Sequence, residues 1–557
     1  MHAVRRYRYL LAVAVLATAQ AVAQTPSQLR AADPGATQQR QMDEERRRWE
    51  DEREQLKPIT EPLKRESVEA PAVQAGPDAV RFMVREVRFT ASEILSTEEL
   101  DVIAREFQGR ELNLADLRQL AARVNALYRS KGVVTAQAVV PPQDVSSGIV
   151  LIKLVEGRLG RVRIEGNDST RESYVVDRLR LQPGDLMDLE RLEAALVRFN
   201  RTNDAQLQTE LKPGEQFATT DLRVAMIEPP RQDLRLILDN FGASSTGTFR
   251  TGIAYLNRSL LGFRDNLSLS YTKALGQESQ AMSYGFPVNT WGGRLNLGYY
   301  KDNTAIKNGD LSSLNITGES IASVVSFRQP TFVDSSAQID VVVGGKERRN
   351  SNWIDNVLLV RTDTADSNLG LEAQLFGQQS NWFASYVRSF GHADVTATER
   401  QGFVIDRGNV RYNRDFSYGL SFRGNLSWQS SNKVLLPSSE QFFIGGDGSV
   451  RGYPVGVYSG DTGQLLNLEL HHPLLVASAA THDAGATGFF FVDYGRVKSN
   501  SSLDDDACQD LTGVGWGMHA NLGKHAYARL VFGYGIDKVP QQPRSYAITL
   551  QLIGSAF

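Results

Sequence analysis

From Pro229-Pro230 onward the spacing of apolar residues is that of strands, and this constrains the fold more than any other feature of the chain. The clearest segment sets Phe416, Tyr418, Leu420, Phe422, Leu426 and Trp428 on one face. Ser417, Gly419, Ser421, Arg423, Asn425, Ser427 and Gln429 take the other. Leu267, Leu269 and Tyr271 alternate with Ser268 and Ser270, and Leu295, Leu297 and Tyr299 with Asn296 and Gly298. A soluble sandwich also alternates, but with shorter strands and a mainly aliphatic inner face. Long strands with an aromatic-rich face backed by a small, polar face predict a transmembrane β-barrel around water. The roughly 328 residues available, at about 20 per strand and connection, predict about 16 antiparallel strands over 229–557, within two either way.

The chain is long enough for further domains. Its 557 residues, 22% charged and with a formal net charge of −3, exclude a helical membrane protein and give no reason to expect a nucleic-acid partner. At the start, Arg5, Arg6 and Arg8 precede the apolar run Leu10–Ala17, which ends at Ala21-Val22-Ala23. This pattern predicts a secretory signal peptide over 1–23, with a mature start at Gln24. The run is too short to span a bilayer comfortably as an uncleaved anchor. Export permits disulfides, yet Cys508 is the sole cysteine, so stability must come from packed cores or a closed sheet.

Within the N-terminal region 24–56, residues 36–56 read as a helix without an apolar face, interrupted only by Met42, Trp49 and Leu56. Asp43/Arg47 and Glu44/Arg48 support it at i, i+4 spacing. Local sequence suits a solvated or coiled segment, and its length of roughly 31 Å is also close to a bilayer hydrocarbon core. Residues 57–79, with Pro58, Pro62, Pro71 and Pro77, predict a semi-rigid linker able to reach roughly 75 Å.

An internal repeat follows. Phe82–Phe89 alternates, Thr97–Phe107 and Leu114–Tyr128 carry helical spacing, and Thr135–Val140 and Ile149–Val155 alternate again. The same order recurs at Val162–Ile164, Glu172–Leu179, Leu189–Phe199, Ala205–Leu211 and Thr220–Met226. These two α+β units, 80–157 and 158–228, resemble POTRA domains, periplasmic modules that handle unfolded polypeptide. Pro142-Gln143-Asp144 followed by Gly148–Gly157 is similar to the end of the first POTRA domain of two-partner secretion transporters. A small sheet with helices on one face leaves edges to which an extended client can add by main-chain hydrogen bonds.

Two motifs carry the chemistry. Gly445-Gly446-Asp447-Gly448-Ser449-Val450-Arg451-Gly452-Tyr453 is a loop loosened by glycine at 445, 446, 448 and 452, able to fold sharply and present one arginine. Phe491-Val492-Asp493-Tyr494-Gly495 is a strand carrying one carboxylate. Together they resemble the paired signature of outer-membrane protein-translocating barrels. The resemblance implies that the loop turns back into the lumen, where Val450, Arg451, Gly452 and Tyr453 form a latch whose partners on the barrel wall are Phe491, Asp493 and Gly495. A bidentate guanidinium–carboxylate pair is geometrically specific, and in a wet lumen is worth about 1–3 kcal/mol.

Asp239-Asn240-Phe241-Gly242 with Thr246-Gly247 and Arg250 resembles the first barrel hairpin of the two-partner secretion family, and the chain ends in Phe557 as many outer-membrane barrels do. The phase Tyr546, Ile548, Leu550, Leu552 is opposite in parity to Phe557, so either a bulge intervenes or the terminal signal is weak.

Other features yield no site. His471 and His472, adjacent on a strand, face opposite ways. Asp504-Asp505-Asp506 lacks the spacing of a calcium loop, and Cys508 has no evident partner for catalysis. The sequence holds no P-loop, nucleophile elbow or zinc-helix motif. No enzyme, cofactor or metal is expected.

Taken over nearly the whole mature chain, the resemblance is to two-partner secretion outer-membrane transporters of the TpsB type. It implies an outer-membrane location with periplasmic POTRA domains, lipid and the barrel-assembly machinery as partners, and a helix 36–56 resting in the lumen. It also implies a client exoprotein with an N-terminal secretion domain, of haemolysin, adhesin or contact-dependent toxin type, exported without ATP. A barrel-assembly insertase and a passive porin are the alternatives.

Overall fold

A computed structural model describes residues 33–40, 42, 63–64 and 81–556, apart from 132, 134, 217–218, 397–399, 476–483, 501–507, 524 and 541–545. The expected leader, the helix beyond Met42, most of the linker, residues 504–506 and Phe557 lie outside the described residues. The chain divides into two compact units, residues 57–229 and residues 1–56 with 230–557.

The smaller unit holds the repeat. In its first half, helix Thr97–Arg105 starts at Ser96 and helix Leu114–Ser130 at Asn113. Each is closed by a reciprocal capping box, with Glu99 and Asp116 reaching back to the cap amide at 3.0 and 2.9 Å. Leu117, Leu120, Ala121, Val124 and Tyr128 then fall on one buried face. Leu120 and Val124 are fully buried, each contributing about 1.5–3 kcal/mol relative to exposure. They pack on a sheet in which Ile149–Val155 lies between Glu86–Phe89, parallel, and Gln137–Val139, antiparallel.

The single strand expected over Phe82–Phe89 divides at Arg85, because the Gly148 carbonyl accepts from the amides of both Arg85 (2.7 Å) and Glu86 (3.2 Å). Phe82–Val84 pairs instead with Arg110–Leu112, a strand too short to show a period.

The second half repeats the plan with helices Glu172–Leu179 and Leu189–Thr202, the latter capped by Asp188 on the Arg191 amide at 3.0 Å. Its sheet pairs Arg158–Glu165 parallel to Thr219–Ile227, which pairs antiparallel to Gln206–Pro213. Two residues of the linker region, Leu63–Lys64, pair in parallel with Thr209–Glu210 as a fourth strand on the open edge. That edge offers unpaired backbone groups to any extended chain, and two linker residues take them.

In the larger unit the described residues form a closed antiparallel barrel of sixteen strands, from Gln232–Asp239 to Tyr546–Ser555. The first and last strands close it through pairs from Arg235↔Ser555 to Asp239↔Gln551. Asn240 lengthens the seam with its side chain, donating to the Ile548 carbonyl at 2.9 Å and accepting from the Leu550 amide at 2.8 Å. In the same first hairpin, Arg250 and Asp239 make a two-pronged ion pair at 2.8 and 3.1 Å. Leu236, Leu238, Leu297, Tyr299, Leu369, Leu371, Trp382, Trp516 and Ile548 are exposed on the outside. Asp302, Ser320, Arg348, Asn350, Thr364, Gln429 and Asp493 are buried. The apolar outer band and polar inner wall are those of a membrane-spanning barrel.

Two details depart from the alternation. Strand Ser421–Ser431 keeps the predicted phase, but Phe416–Leu420 is a turn closed by Phe416 N–H to Leu420 O at 2.8 Å. Tyr418 takes φ +64° there and is 96% exposed. Aromatic residues favour the interface at a barrel's rim as much as its outer face, so the pattern ran through the turn. At the other end, Tyr546–Ser555 runs in continuous register with both neighbours, which leaves no room for a bulge inside that strand.

Beside this wall lies the start of the N-terminal helix, residues 34–40 with Met42. Asp33 begins it, its side chain accepting from the Ala36 amide at 2.8 Å, with Pro34 suited to the first turn. Ala36 and Gln38 are fully buried. The Gln38 amide nitrogen donates to the Tyr300 and Ser320 carbonyls, both at 3.1 Å. The described turns are therefore not solvated, the alternative that local polarity favoured, but seated against the barrel wall. A polar helix surface fits there because the wall supplies hydrogen-bond partners rather than apolar side chains.

Candidate latch in the barrel lumen

The connection from strand Ser421–Ser431 to strand Thr462–Leu475 carries a short hairpin, Phe442–Ile444 with Tyr458–Gly460, and then folds back between the walls. Gly445, Gly446 and Gly452 have φ of +102°, +100° and +96°, which an L side chain rarely adopts, whereas Gly448 is not among the residues with positive φ. A Cβ on Gly452 would stand 2.7 Å from the Tyr534 backbone, so the loop meets the wall main chain to main chain.

Arg451 lands where the sequence motifs place it. Its Nε and Nη2 donate to the two carboxylate oxygens of Asp493, each at 2.7 Å, and its backbone N–H reaches the same carboxylate at 3.0 Å. The guanidinium lies 3.6 Å from the centroid of the Phe491 ring, a cation–π contact. Val450 is fully buried with Ile444, Tyr453 and Leu511. Gly495 makes room for it, since a Cβ there would meet Val450 at 2.7 Å. Tyr453 donates to the Thr512 carbonyl at 2.9 Å and accepts from the Asp537 amide at 2.8 Å. All seven predicted latch residues thus meet at one place.

The wet setting expected for the pair is corrected. Asp493 is 0% exposed and Arg451 4%, and the adjoining cavity, about 10 Å³, is no larger than one water. Two charges held this dry owe their persistence to complete hydrogen bonding, and removing one partner typically costs about 3–5 kcal/mol because the other is stranded.

Sequence reasoning missed three contributors. Glu469 accepts from Arg451 Nη1 at 2.5 Å and contacts His471 Nε2 at 2.8 Å. Asn467 bridges the Ser449 carbonyl and Asp493, both at 2.8 Å. At the tip, Asp447 pairs with Arg529 at 2.6 Å and Thr549 at 2.8 Å, tying the loop to the last two strands. The available signal was the alternation of Asn467, Glu469 and His471 with Leu466, Leu468 and Leu470. Only the register Asn467↔Asp493 and Glu469↔Phe491 puts those polar groups beside the motif. His471 is buried and His472 exposed, on opposite faces as expected. Cys508 opens a barrel strand paired with Lys498.

Comparison with known proteins agrees with this architecture. Residues 82–157 match the POTRA domain of ShlB type. The outer membrane transporter CdiB of Dickeya dadantii is 26% identical over 468 residues, covering 80% of this chain and 81% of that one. The heme/hemopexin transporter protein HuxB of Haemophilus influenzae is 23% identical over 466 residues, covering 77% and 79%. In fold, CdiB from Escherichia coli superposes with a TM-score of 0.67 at 20% identity, covering 96% of this chain and 99% of that one. CdiB from Acinetobacter baumannii gives 0.66 at 18%, covering 96% and 100%. Residues 219–520 match the family model described as haemolysin secretion/activation protein ShlB/FhaC/HecB, and the chain belongs to that family of outer-membrane two-partner secretion transporters.

Proposed function

We propose that this transporter recognises one large exoprotein of haemolysin, adhesin or contact-dependent toxin type in the periplasm and passes it, extended, through the barrel. The observation that carries the reading is the loop folded back and fixed to the barrel wall by Arg451 on Asp493 and Glu469, inside a closed barrel. A barrel whose loop is folded back and held by a buried, two-pronged ion pair suits a gated passage better than a standing solute pore. The N-terminal helix, whose described turns lie on the same inner wall, is the second obstruction to be cleared.

Edge addition is the mode of client capture best supported. Thr209–Glu210 already accept Leu63–Lys64, two residues of ordinary extended chain, by main-chain pairing that is indifferent to sequence. A client segment pairing there displaces the linker and thereby loosens the tether of the lumen helix. The barrel interacts with outer-membrane lipid through its apolar band and depends on the barrel-assembly machinery for insertion.

The test is a comparative proteome of culture medium and outer membrane from the parent strain and a strain lacking this protein. Loss of one large exoprotein from the medium is the expected result. Broad depletion of outer-membrane barrels indicates an insertase instead, and loss of solute uptake alone indicates a porin.

A further inference from the structure

Away from Arg451, the buried wall residue Arg348 touches both obstructions at once. Its side chain is 0% exposed. Toward the N-terminal helix, Nε donates to Gln38 Oε1 at 3.0 Å and Nη2 to Gln39 Oε1 at 2.9 Å. Toward the folded-back loop, Nη1 donates to the Ser439 carbonyl at 2.9 Å and to Glu440 Oε1 at 3.3 Å. Gln38 is held further by Ser320 Oγ at 3.0 Å. Glu440 is itself 0% exposed and is shared with Lys346 at 2.7 Å and Arg407 at 3.1 Å, from two other inward positions on the wall. Lys346 also faces Asp366 at 3.3 Å.

We infer that Arg348 is a positioning residue that couples the seat of the N-terminal helix to the anchorage of the lumen loop. The planar guanidinium offers donors in a fixed fork, so its orientation toward Gln38 and Gln39 sets its orientation toward Ser439 and Glu440. Withdrawal of the helix removes the acceptors of Nε and Nη2 and leaves a buried cation partly unsatisfied beside the loop's only described acidic anchor at this site. Movement of Glu440 does the converse, weakening the seat of a helix to which Glu440 makes no hydrogen bond among the described residues. Each obstruction then favours the departure of the other, a coupling that is reciprocal by linkage. Arg451 holds the same loop at a separate place, through partners on other strands. The inference rests on the secretion reading only for its purpose; the coupling itself is a property of the empty barrel.

The experiment uses the full chain with Cys508→Ser and Ala36→Cys. Ala36 is 0% exposed while the helix is seated, so a bulky maleimide modifies Cys at this position only after helix departure. The modification rate is measured on the folded, heat-modifiable barrel in detergent with no client present, in the parent, Glu440→Ala, Arg348→Lys and the double variant. Glu440→Ala is expected to speed modification at least about fivefold, the low end of ordinary coupling. Arg348→Lys keeps the charge but cannot serve four acceptors, and is expected to speed it comparably, with the double variant no faster than Arg348→Lys alone. An unchanged rate in Glu440→Ala, or rates that multiply in the double variant, overturns the inference. Should Glu440→Ala fail to insert, Glu440→Gln supplies the same comparison with the side-chain shape retained. A negative result here leaves the secretion reading intact, and loss of the secretion reading leaves this coupling measurable.

Discussion

Arg451 spends its guanidinium on two carboxylates and a ring face, and the identity of that side chain matters beyond its charge. Arg451→Ala is predicted to insert normally, as read by heat-modifiable migration, yet to lose secretion. Arg451→Lys, with one point charge in place of a fork, is predicted to lower secreted client at least about tenfold. Secretion at the parental level by the lysine variant would show that charge alone suffices. Close packing makes a second prediction. Gly495→Ala forces a methyl against Val450 and Ile444 and should destabilise the seated loop by about 1–3 kcal/mol, read as a lower temperature for loss of heat-modifiability. At this scale the pairing of Arg451 with Asp493 was legible through the family resemblance of the two motifs that hold them. The sequence was silent on Glu469, Asn467, Arg348 and Glu440, whose importance depends on strand register and on where a long loop comes to rest.

Among the elements, the edge-paired linker and the lumen helix make separate predictions. Leu63→Pro removes an N–H and disfavours the strand next to Thr209–Glu210, so amide hydrogen exchange over Gln206–Pro213 should quicken roughly tenfold or more. Unchanged exchange would mean that the linker contributes nothing to that edge. Deleting residues 36–56 is predicted to raise single-channel conductance while secretion persists, and an unaltered conductance would remove the helix as an obstruction. Period alone made most elements legible, as with the helical spacing over Thr97–Phe107 and Leu114–Tyr128, whereas the capping boxes at Ser96/Glu99 and Asn113/Asp116 emerged only with the structure. Period did not reveal that two residues of a proline-rich linker pair with a sheet, because any extended backbone can do so. Nor did it reveal that the first turns of a polar helix are buried, because burial against a polar wall leaves no apolar stripe to read.

Across the whole molecule, alternation carried the barrel, since every strand facing lipid on one side and polar groups on the other must obey a period of two, and the length of the region carried its strand number. Alternation overran the turn at Phe416–Leu420, where rim aromatics continue the same pattern. This closed barrel exports a partner protein, and its loop is held by Arg451. The decisive comparison complements a strain that lacks the protein with the parent chain or with Arg451→Ala, and measures one large exoprotein in the medium against the amount of folded barrel in the outer membrane. The parent is expected to restore the exoprotein, and Arg451→Ala, at equal barrel abundance, is not. Equal export by both, or no exoprotein that depends on either, would contradict it.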